Sequence, residues 1–295
     1  MGNTLRLMTH NVWNFDANSP KWAERGEDCS AAARVGGLLR VYRETLPDVI
    51  GGQEVSALMA DLLCEGFQGG ALGGVSAQDP RYTLIWGRFT PIIYRSDRLE
   101  LLASEFGTYP ETIDGFEGKF NDVKSKSWNL GVFRVKESGA TFIFVTTHLW
   151  WMHSPKAGLE VGHNVRLGSD EARERQIAIV LEKIASYRAA YGCPAVLVGD
   201  MNTDYNSLAM RYVRANGFRH AHDIATDYRE ESIGLHYCFA DGYKTQYYDW
   251  EFERAIDHIY VADEAEGAVK RFERYSPDYY FPISDHSAAY IDIQL

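Results

Sequence analysis

The chain has 295 residues, 45% of them apolar and 24% charged, a balance that suits a folded core and excludes disordered, collagen-like and coiled-coil chains. Forty-one acidic residues against 30 basic give a net charge of −11, which disfavours a duplex-coating binder whose affinity comes from a basic surface. The greasiest stretch, around Phe142 to Leu149, is strand-length and far short of the roughly 20 residues a membrane-spanning helix needs.

In chain order, runs rich in β-branched and aromatic residues predict strands over about 4–12, 48–53, 82–86, 91–95, 99–107, 127–135, 140–148, 194–199, 255–262, 268–275 and 287–294. Glu137-Ser138-Gly139 separates two of these runs and reads as a hairpin turn. Helical spacing is expected over about 30–46, 55–65, 169–190 and 206–216. The third is the clearest. Ser169 or Asp170 can cap it, and Glu171 and Glu174 lie in its first turn. Its apolar stripe is Ile177, Val180, Leu181, Ile184 and Ala185. Many strands joined largely by hairpins, with a few helices, predict an α/β (α+β) fold of packed sheets covered by helices. With no repeat or linker in view, residues 1–295 read as a single domain.

Several chemistries lack a motif. Cys29, Cys64, Cys193 and Cys238 form no Cys-x-x-Cys pair, which removes a zinc signature and a dense disulfide framework. Gly66 to Gly74 is glycine-rich, but no Gly-Lys-Ser/Thr follows it, so it is not a P-loop. No Gly-x-Ser-x-Gly elbow supports a serine nucleophile. His220-Ala-His222-Asp223 lacks the further histidine of a metallo-β-lactamase-like site and reads as loop or strand.

The informative residues are polar ones at the ends of apolar strand faces. Side chains on a strand alternate, so Val196 and Val198 share a face with Asp200 and, continuing the period, Asn202. Phe142 and Phe144 lead through Thr146 to His148, Leu5 and Leu7 through Thr9 to Asn11, and Ile259 and Val261 share their face with Asp257. Glu54 follows another apolar strand, and Asp285-His286 precedes the last. One such residue is ordinarily a turn or cap. Repetition across distant strands points instead to a shared site, since inward charges need partners. Carboxylates with an amide suit Mg²⁺ or Mn²⁺ better than structural zinc.

Thr9-His-Asn11-Val-Trp-Asn, Gln53-Glu54, Thr147-His148-Leu149, Gly199-Asp200-Met-Asn202, Ile256-Asp257-His-Ile-Tyr-Val and Ser284-Asp285-His286 occur in one order along the chain. In that order they resemble the endonuclease/exonuclease/phosphatase (DNase I-like) superfamily. The resemblance spans residues 9 to 286 and implies a four-layer α/β sandwich, two mixed, largely antiparallel sheets flanked by helices. It also implies a metal-assisted phosphoester hydrolase that uses water as nucleophile.

By that resemblance Glu54 is the principal metal ligand, with Asn11 beside it and Asp285 as a further ligand. His286 is the catalytic imidazole and Asp257 orients it; either His286 or Asp200 takes the proton from water. Asp200 positions water or holds a second metal, while Asn202 and His148 donate hydrogen bonds to phosphoryl oxygens. His258, beside Asp257, faces the opposite side of its strand and is expected to be packed or at the surface.

The loop after His148 carries Trp150, Trp151 and His153 and continues through Lys156, His163, Asn164 and Arg166. Aromatics beside cations can stack a base or sugar while contacting phosphate; the alternative is tryptophans packed on the sheet under a lid. Arg173 lies on the buried stripe of the third helix, either to reach phosphate or a site carboxylate or to make a structural salt bridge. Ser232 to Arg254 is rich in Tyr and acidic residues, where many nuclease relatives carry a Thr-Phe-x-Gly-like segment. The expectation is a Mg²⁺-dependent phosphoester hydrolase, a phosphodiesterase ahead of a monoesterase, acting on a small or membrane-derived phosphodiester. A nuclease acting on DNA or RNA is the alternative, and a non-catalytic binding module on the same scaffold a further one. No protein partner is predicted.

Overall fold

Strands that are apolar on both faces need cover on both, and this chain supplies it with a second sheet on one side and helices on the other. The computed structural model describes residues 4–24, 26–68, 81–121, 123–155, 164–228, 255–275, 277–280 and 283–295. Cys238, the tyrosine-rich segment 232–254, Lys156, His163 and most of the glycine-rich segment lie outside them.

One sheet has seven strands, in the order β10 (Asp227–Tyr228), β12 (Val269–Tyr275), β13 (Ala288–Gln294), β1 (Thr4–Asn11), β2 (Val49–Gln53), β4 (Ile92–Arg95), β3 (Tyr82–Ile85). The other has six: β5 (Leu99–Thr108), β6 (Ser127–Val135), β7 (Thr141–His148), β8 (Ala195–Asp200), β11 (Asp257–Ala262), β9 (Phe218–His220). Both are mixed. β1 runs parallel to β2 and β7 parallel to β8, while most other neighbours are antiparallel.

Leu5, Leu7, Phe142, Phe144, Val196, Val198, Ile259 and Val261 meet between the sheets in one apolar cluster. On the outer face of the six-stranded sheet, Ile177, Val180 and Ile184 of α4 (Ser169–Tyr191) and Met210 and Val213 of α5 (Leu208–Ala215) cover Val145, Leu197 and Tyr260. On the outer face of the other, Leu38 and Tyr42 of α2 (Ala31–Thr45) and Met59 and Leu63 of α3 (Ala57–Gln68) cover Met8 and Ile50. The result is the four-layer α/β sandwich. Among the described residues no helix is long and apolar enough to cross a membrane.

Each expected strand and each of the four expected helices is present, with ends within a few residues. The hairpin at Gly139 has φ +76°, a left-handed conformation that glycine adopts at no steric cost. Two details of α4 differ. Gly168, at φ +85°, occupies the cap position without a side-chain bond, and Ser169 instead donates from its hydroxyl to the Arg166 carbonyl. Ala185 is exposed, and the buried face begins earlier with Ala172, Arg173 and Gln176. Short α1 (Pro20–Ala23), β9 and β10, and α6 (Ala221–Ile224) directly after β9, were not anticipated, since elements of two to four residues carry too little periodicity. Cys29, Cys64 and Cys193 are free thiols.

Candidate active site

Between the apolar core and one end of the sandwich lies a hydrogen-bonded polar layer. Thr9 donates to Gln53 Oε1 at 3.2 Å, and Gln53 Nε2 donates to Thr146 Oγ1 at 2.8 Å and to the Gly51 carbonyl at 2.9 Å. The two sheets approach closely here: a Cβ at Gly51 would sit 2.7 Å from both Thr146 Cβ and Val198 Cγ2. Beyond this layer the period-two faces end at Asn11, His148, Asp200 and Asp257, all buried.

These strand ends converge. Asn11 Nδ2 donates to Asp200 Oδ2 at 2.9 Å. His148 Nε2 is 3.3 Å from Asp200 Oδ2 and 3.9 Å from Glu54 Oε1. His286 Nδ1 lies 2.8 Å from Asp257 Oδ2, and its Nε2 is 4.0 Å from Asp200 Oδ2 and 3.8 Å from Asp285 Oδ1. Ligating atoms of Glu54, His148 and Asp200 lie within 4.8 Å of one another, as do those of Asp200, Asp257 and His286.

The loops that deliver these groups adopt conformations that strand residues avoid. Trp13, Glu54 and Asn202 have φ of +61°, +58° and +50°, costing on the order of 1–2 kcal/mol each. The strain is held by nearby bonds. Asn14 N–H donates to Glu54 Oε2 at 2.9 Å, and Asn202 N–H donates to Asp200 Oδ1 at 2.9 Å. Beneath the Asn11 and Asp285 loops, buried Arg34 of α2 donates to the carbonyls of Val12, Trp13, Phe15, Cys29 and Ile283.

Charge in the cluster is unbalanced by protein alone. Burial pushes the Asp285 carboxyl up to about 7 and Asp200 up to about 6; the nearby His286 opposes this, while neighbouring carboxylates reinforce it. Burial disfavours the cationic form of His286, but Asp257, Asp285 and the hydrogen bond to Asp257 outweigh it and hold the imidazole well above its ordinary range. His148 is pushed well below its ordinary value by burial and by the charges of Lys126 and His286. Asp285 Oδ1 is buried without a hydrogen-bond partner. Crowded carboxylate oxygens, one of them unsatisfied, fit a hard divalent cation, which Glu54, Asp285 and the Asn11 amide could hold.

The sequence expectations fare unevenly around this centre. Asn202 stands beside Asp200, but its side-chain amide donates to the Leu149 carbonyl at 3.0 Å. Trp150 is fully buried, and its Nε1–H donates to Ser169 at 3.1 Å, so it offers no face to a ligand. Trp151 is half-buried and packs on Trp150, with ring centroids 6.0 Å apart. Arg166 donates to the Lys119 carbonyl and lies over Trp150, 5.2 Å from the ring centroid.

Arg173 makes the structural salt bridge, and it also lines a cavity beside Asn202. It is buried, donates to the Trp150 and Met152 carbonyls and pairs with Asp170 at 2.5 Å. Gln176 completes this brace by accepting from Trp150 N–H at 2.8 Å and donating to the Phe120 carbonyl at 3.1 Å. His258 is packed, as expected: His220 Nε2 is 3.1 Å from its Nδ1, and its own Nε2 donates to the Thr203 carbonyl at 2.9 Å.

Exposed His153 does line a cavity of about 410 Å³, with Arg173, Asn202, Asp204, Ser207 and Arg211. Ile256, next to Asp257, lines it too, so the cavity adjoins the carboxylate cluster.

One residue at the centre is absent from the sequence expectations. Lys126 is buried, with Nζ 2.5 Å from His148 Nε2. A lysine directly before the almost wholly buried strand β6 was the available signal.

Over residues 8–286 the chain matches the endonuclease/exonuclease/phosphatase family. No curated protein matches it in sequence. Among solved structures it is similar to an endonuclease/exonuclease/phosphatase family protein from Bacteroides thetaiotaomicron, with 20% identity and a TM-score of 0.71 over 99% of this chain and 98% of that one. It is similar also to a mannosyl-6-phosphatase from Bacteroides thetaiotaomicron VPI-5482, at 22% identity and a TM-score of 0.69 over 97% and 98%. A third is D. rerio TDP2 complexed with a single-strand DNA product, at 18% identity and a TM-score of 0.63 over 99% and 100%. These likenesses establish the DNase I-like fold; with the ordered match from residue 8 to residue 286, the chain belongs to the endonuclease/exonuclease/phosphatase family.

Proposed function

We propose that the protein is a Mg²⁺-dependent phosphoester hydrolase that directs water at phosphorus. The observation that carries this reading is the convergence of Asn11, Glu54, His148, Asp200, Asp257, Asp285 and His286 at one end of the two sheets.

Glu54, Asn11 and Asp285 would hold the cation, which when bound offsets charge on the phosphoryl oxygens and leaving group. Asp200, buried and fixed by Asn11 Nδ2 and the Asn202 backbone, is the group suited to accept a proton from water. His286, oriented by Asp257 and held as imidazolium, would steady developing negative charge and supply a proton to the leaving oxygen. Nε2 of that ring is the atom directed toward Asp200.

The cavity beside Asn202 is lined by hydroxyl, amide and charged groups together with Leu208 and Ile256, and suits a polar leaving group of limited size. The net charge of −11 favours a small or membrane-derived phosphoester over a nucleic acid; among small substrates the reading taken is a diester ahead of a monoester. The nuclease reading is supported by the likeness to D. rerio TDP2, whose structure was solved in complex with a single-strand DNA product.

The test is hydrolysis of bis(p-nitrophenyl) phosphate, p-nitrophenyl phosphate and an oligonucleotide, each with Mg²⁺ and with EDTA. Mg²⁺-restored cleavage, fastest on the aryl diester, is expected. Far faster cleavage of the oligonucleotide would replace the small-substrate reading with the nuclease one. No metal-dependent cleavage of any of the three would remove the enzyme reading.

A further inference from the structure

The proposed hydrolysis leaves one buried cation of the site without a part. Lys126 lies in the turn before β6, 5% exposed, with Nζ 2.5 Å from His148 Nε2. The His148 nitrogen it meets lies 3.3 Å from Asp200 Oδ2.

The turn is built around this lysine. Asn121 is fully buried; its Nδ2 donates to the carbonyls of Tyr109 and Lys126 at 2.8 and 2.9 Å, and its Oδ1 accepts from Lys126 N–H at 3.0 Å. Lysine ordinarily lays its stem on apolar surface and keeps the ammonium in water. Here the backbone is clamped from both sides and the ammonium is turned inward, which is costly unless anionic partners compensate.

The hydrogen-bond inventory assigns the contact a direction. An ammonium carries three N–H donors and no acceptor, so Nζ donates and His148 Nε2 accepts. A neutral ring that accepts at Nε2 carries its proton on Nδ1. Nε2 is the His148 atom nearest the carboxylates, 3.3 Å from Asp200, and in this tautomer it has no proton to offer a phosphoryl oxygen. The donor at that point of the cluster is the ammonium.

We infer that Lys126 is a phosphoryl-oxygen ligand: its ammonium, aimed by His148 Nε2 and by the Asn121-clamped turn, donates to a non-bridging oxygen of the phosphoester. The inference rests on the phosphoester reading and adds a second source of positive charge, independent of the cation held by Glu54. His148 thereby becomes a positioning residue for Lys126. The rival role for Lys126 is an internal counter-ion that only props the carboxylates, and the two roles differ in what happens to metal affinity. Removing a prop weakens the metal site, whereas removing a phosphate-binding cation relieves repulsion of the metal and leaves its site intact.

The experiment is isothermal titration of the full chain with Mg²⁺ alone, and with inorganic phosphate at saturating Mg²⁺, for wild type, K126M, K126Q and K126R. Near-UV circular dichroism reports folding, and K126Q, which keeps a donor toward His148 without the charge, serves where K126M does not fold. K126M and K126Q are expected to bind inorganic phosphate about 10- to 100-fold more weakly, the scale of a charge-assisted hydrogen bond. Their Mg²⁺ affinity should be equal or tighter, and K126R should recover most of the phosphate affinity. Phosphate affinity within twofold of wild type in a folded uncharged variant overturns the inference, and so does parallel loss of Mg²⁺ and phosphate affinity. Wild type that cleaves a phosphoester with Mg²⁺ yet binds no inorganic phosphate also overturns it and leaves the hydrolase reading standing. Wild type that does neither removes both.

Discussion

Asp200 and Asp257 are register partners across the antiparallel pair β8 and β11, and they close the same inward face. Two carboxylates side by side in a buried position repel each other, and His286 stands between them: Nδ1 is 2.8 Å from Asp257 and Nε2 4.0 Å from Asp200. This places an imidazolium where it offsets both charges while keeping one nitrogen directed at the site.

Asp257→Asn removes the charge that most favours the protonated ring while keeping the shape. The expected result is a fall in kcat of about 10²- to 10⁴-fold, the range for a positioned acid or base, with KM changed far less. Steady-state kinetics on the aryl diester checks it, and a kcat within threefold of wild type would remove His286 from its role.

Stability should depend on pH and on Mg²⁺ together. Asp200 and Asp285 titrate at about 6 and about 7 when folded, against 3.8 for the ordinary carboxyl. The folded chain therefore binds more protons than the unfolded one from about pH 4 upward, and stability falls as pH rises through that window. His286 acts in the same direction: its raised pKa contributes stability fully below about 6.5, which is lost as pH passes the folded value. A divalent cation binds the ionised carboxylates and opposes this loss. Thermal melting in EDTA and in Mg²⁺ should show a larger Mg²⁺-induced rise in Tm at pH 8 than at pH 5. Equal rises would count against a cation at this cluster.

Glu54→Gln keeps the volume and the contact region of Asn14 while removing the charge. Mg²⁺ affinity should drop at least about tenfold, a magnitude usual even for groups supporting a metal ligand. Calorimetric titration gives the number, and denaturation in EDTA should show little loss of stability.

Arg34→Met leaves five carbonyls without their buried donor. The expected destabilisation is about 3–5 kcal/mol, the range for breaking a buried charged network. Urea unfolding at constant pH measures it; a loss below about 1 kcal/mol would mean that the Asn11 and Ile283 loops hold themselves.

Trp150 and Arg211 separate wall from cavity. Trp150→Ala empties a fully buried site and should cost about 3–5 kcal/mol of stability. Arg211→Ala, at an exposed position lining the cavity, should leave stability within about 0.5 kcal/mol and raise KM with kcat nearly unchanged. Unaltered KM for the variant would separate this cavity from the leaving group.

Much of the site is legible because strand alternation is rigid. Knowing that Phe142 and Phe144 face the core already puts His148 on the same face, and the same parity holds for Asn11, Asp200 and Asp257. The loop after His148 is less legible. Trp150 looks like a stacking platform beside cations, yet it is enclosed by Phe120, Ala172 and Ser169, two of them contributed by α4. Arg173 has the composition of a phosphate ligand and the position of a brace, and Lys126 has no period that points inward.

By itself the sequence determined the elements, the inward parity of each strand and the ordered motifs of the family, because these depend on local backbone geometry and on spacing along the chain. Tertiary structure alone decided which cations face the carboxylates and which hold loops. Arg34, Lys126 and Arg173 are all buried, and the burial and partner of a long side chain depend on segments 20 or more residues away. Whether such a charge holds the scaffold or faces the site follows from those distant partners.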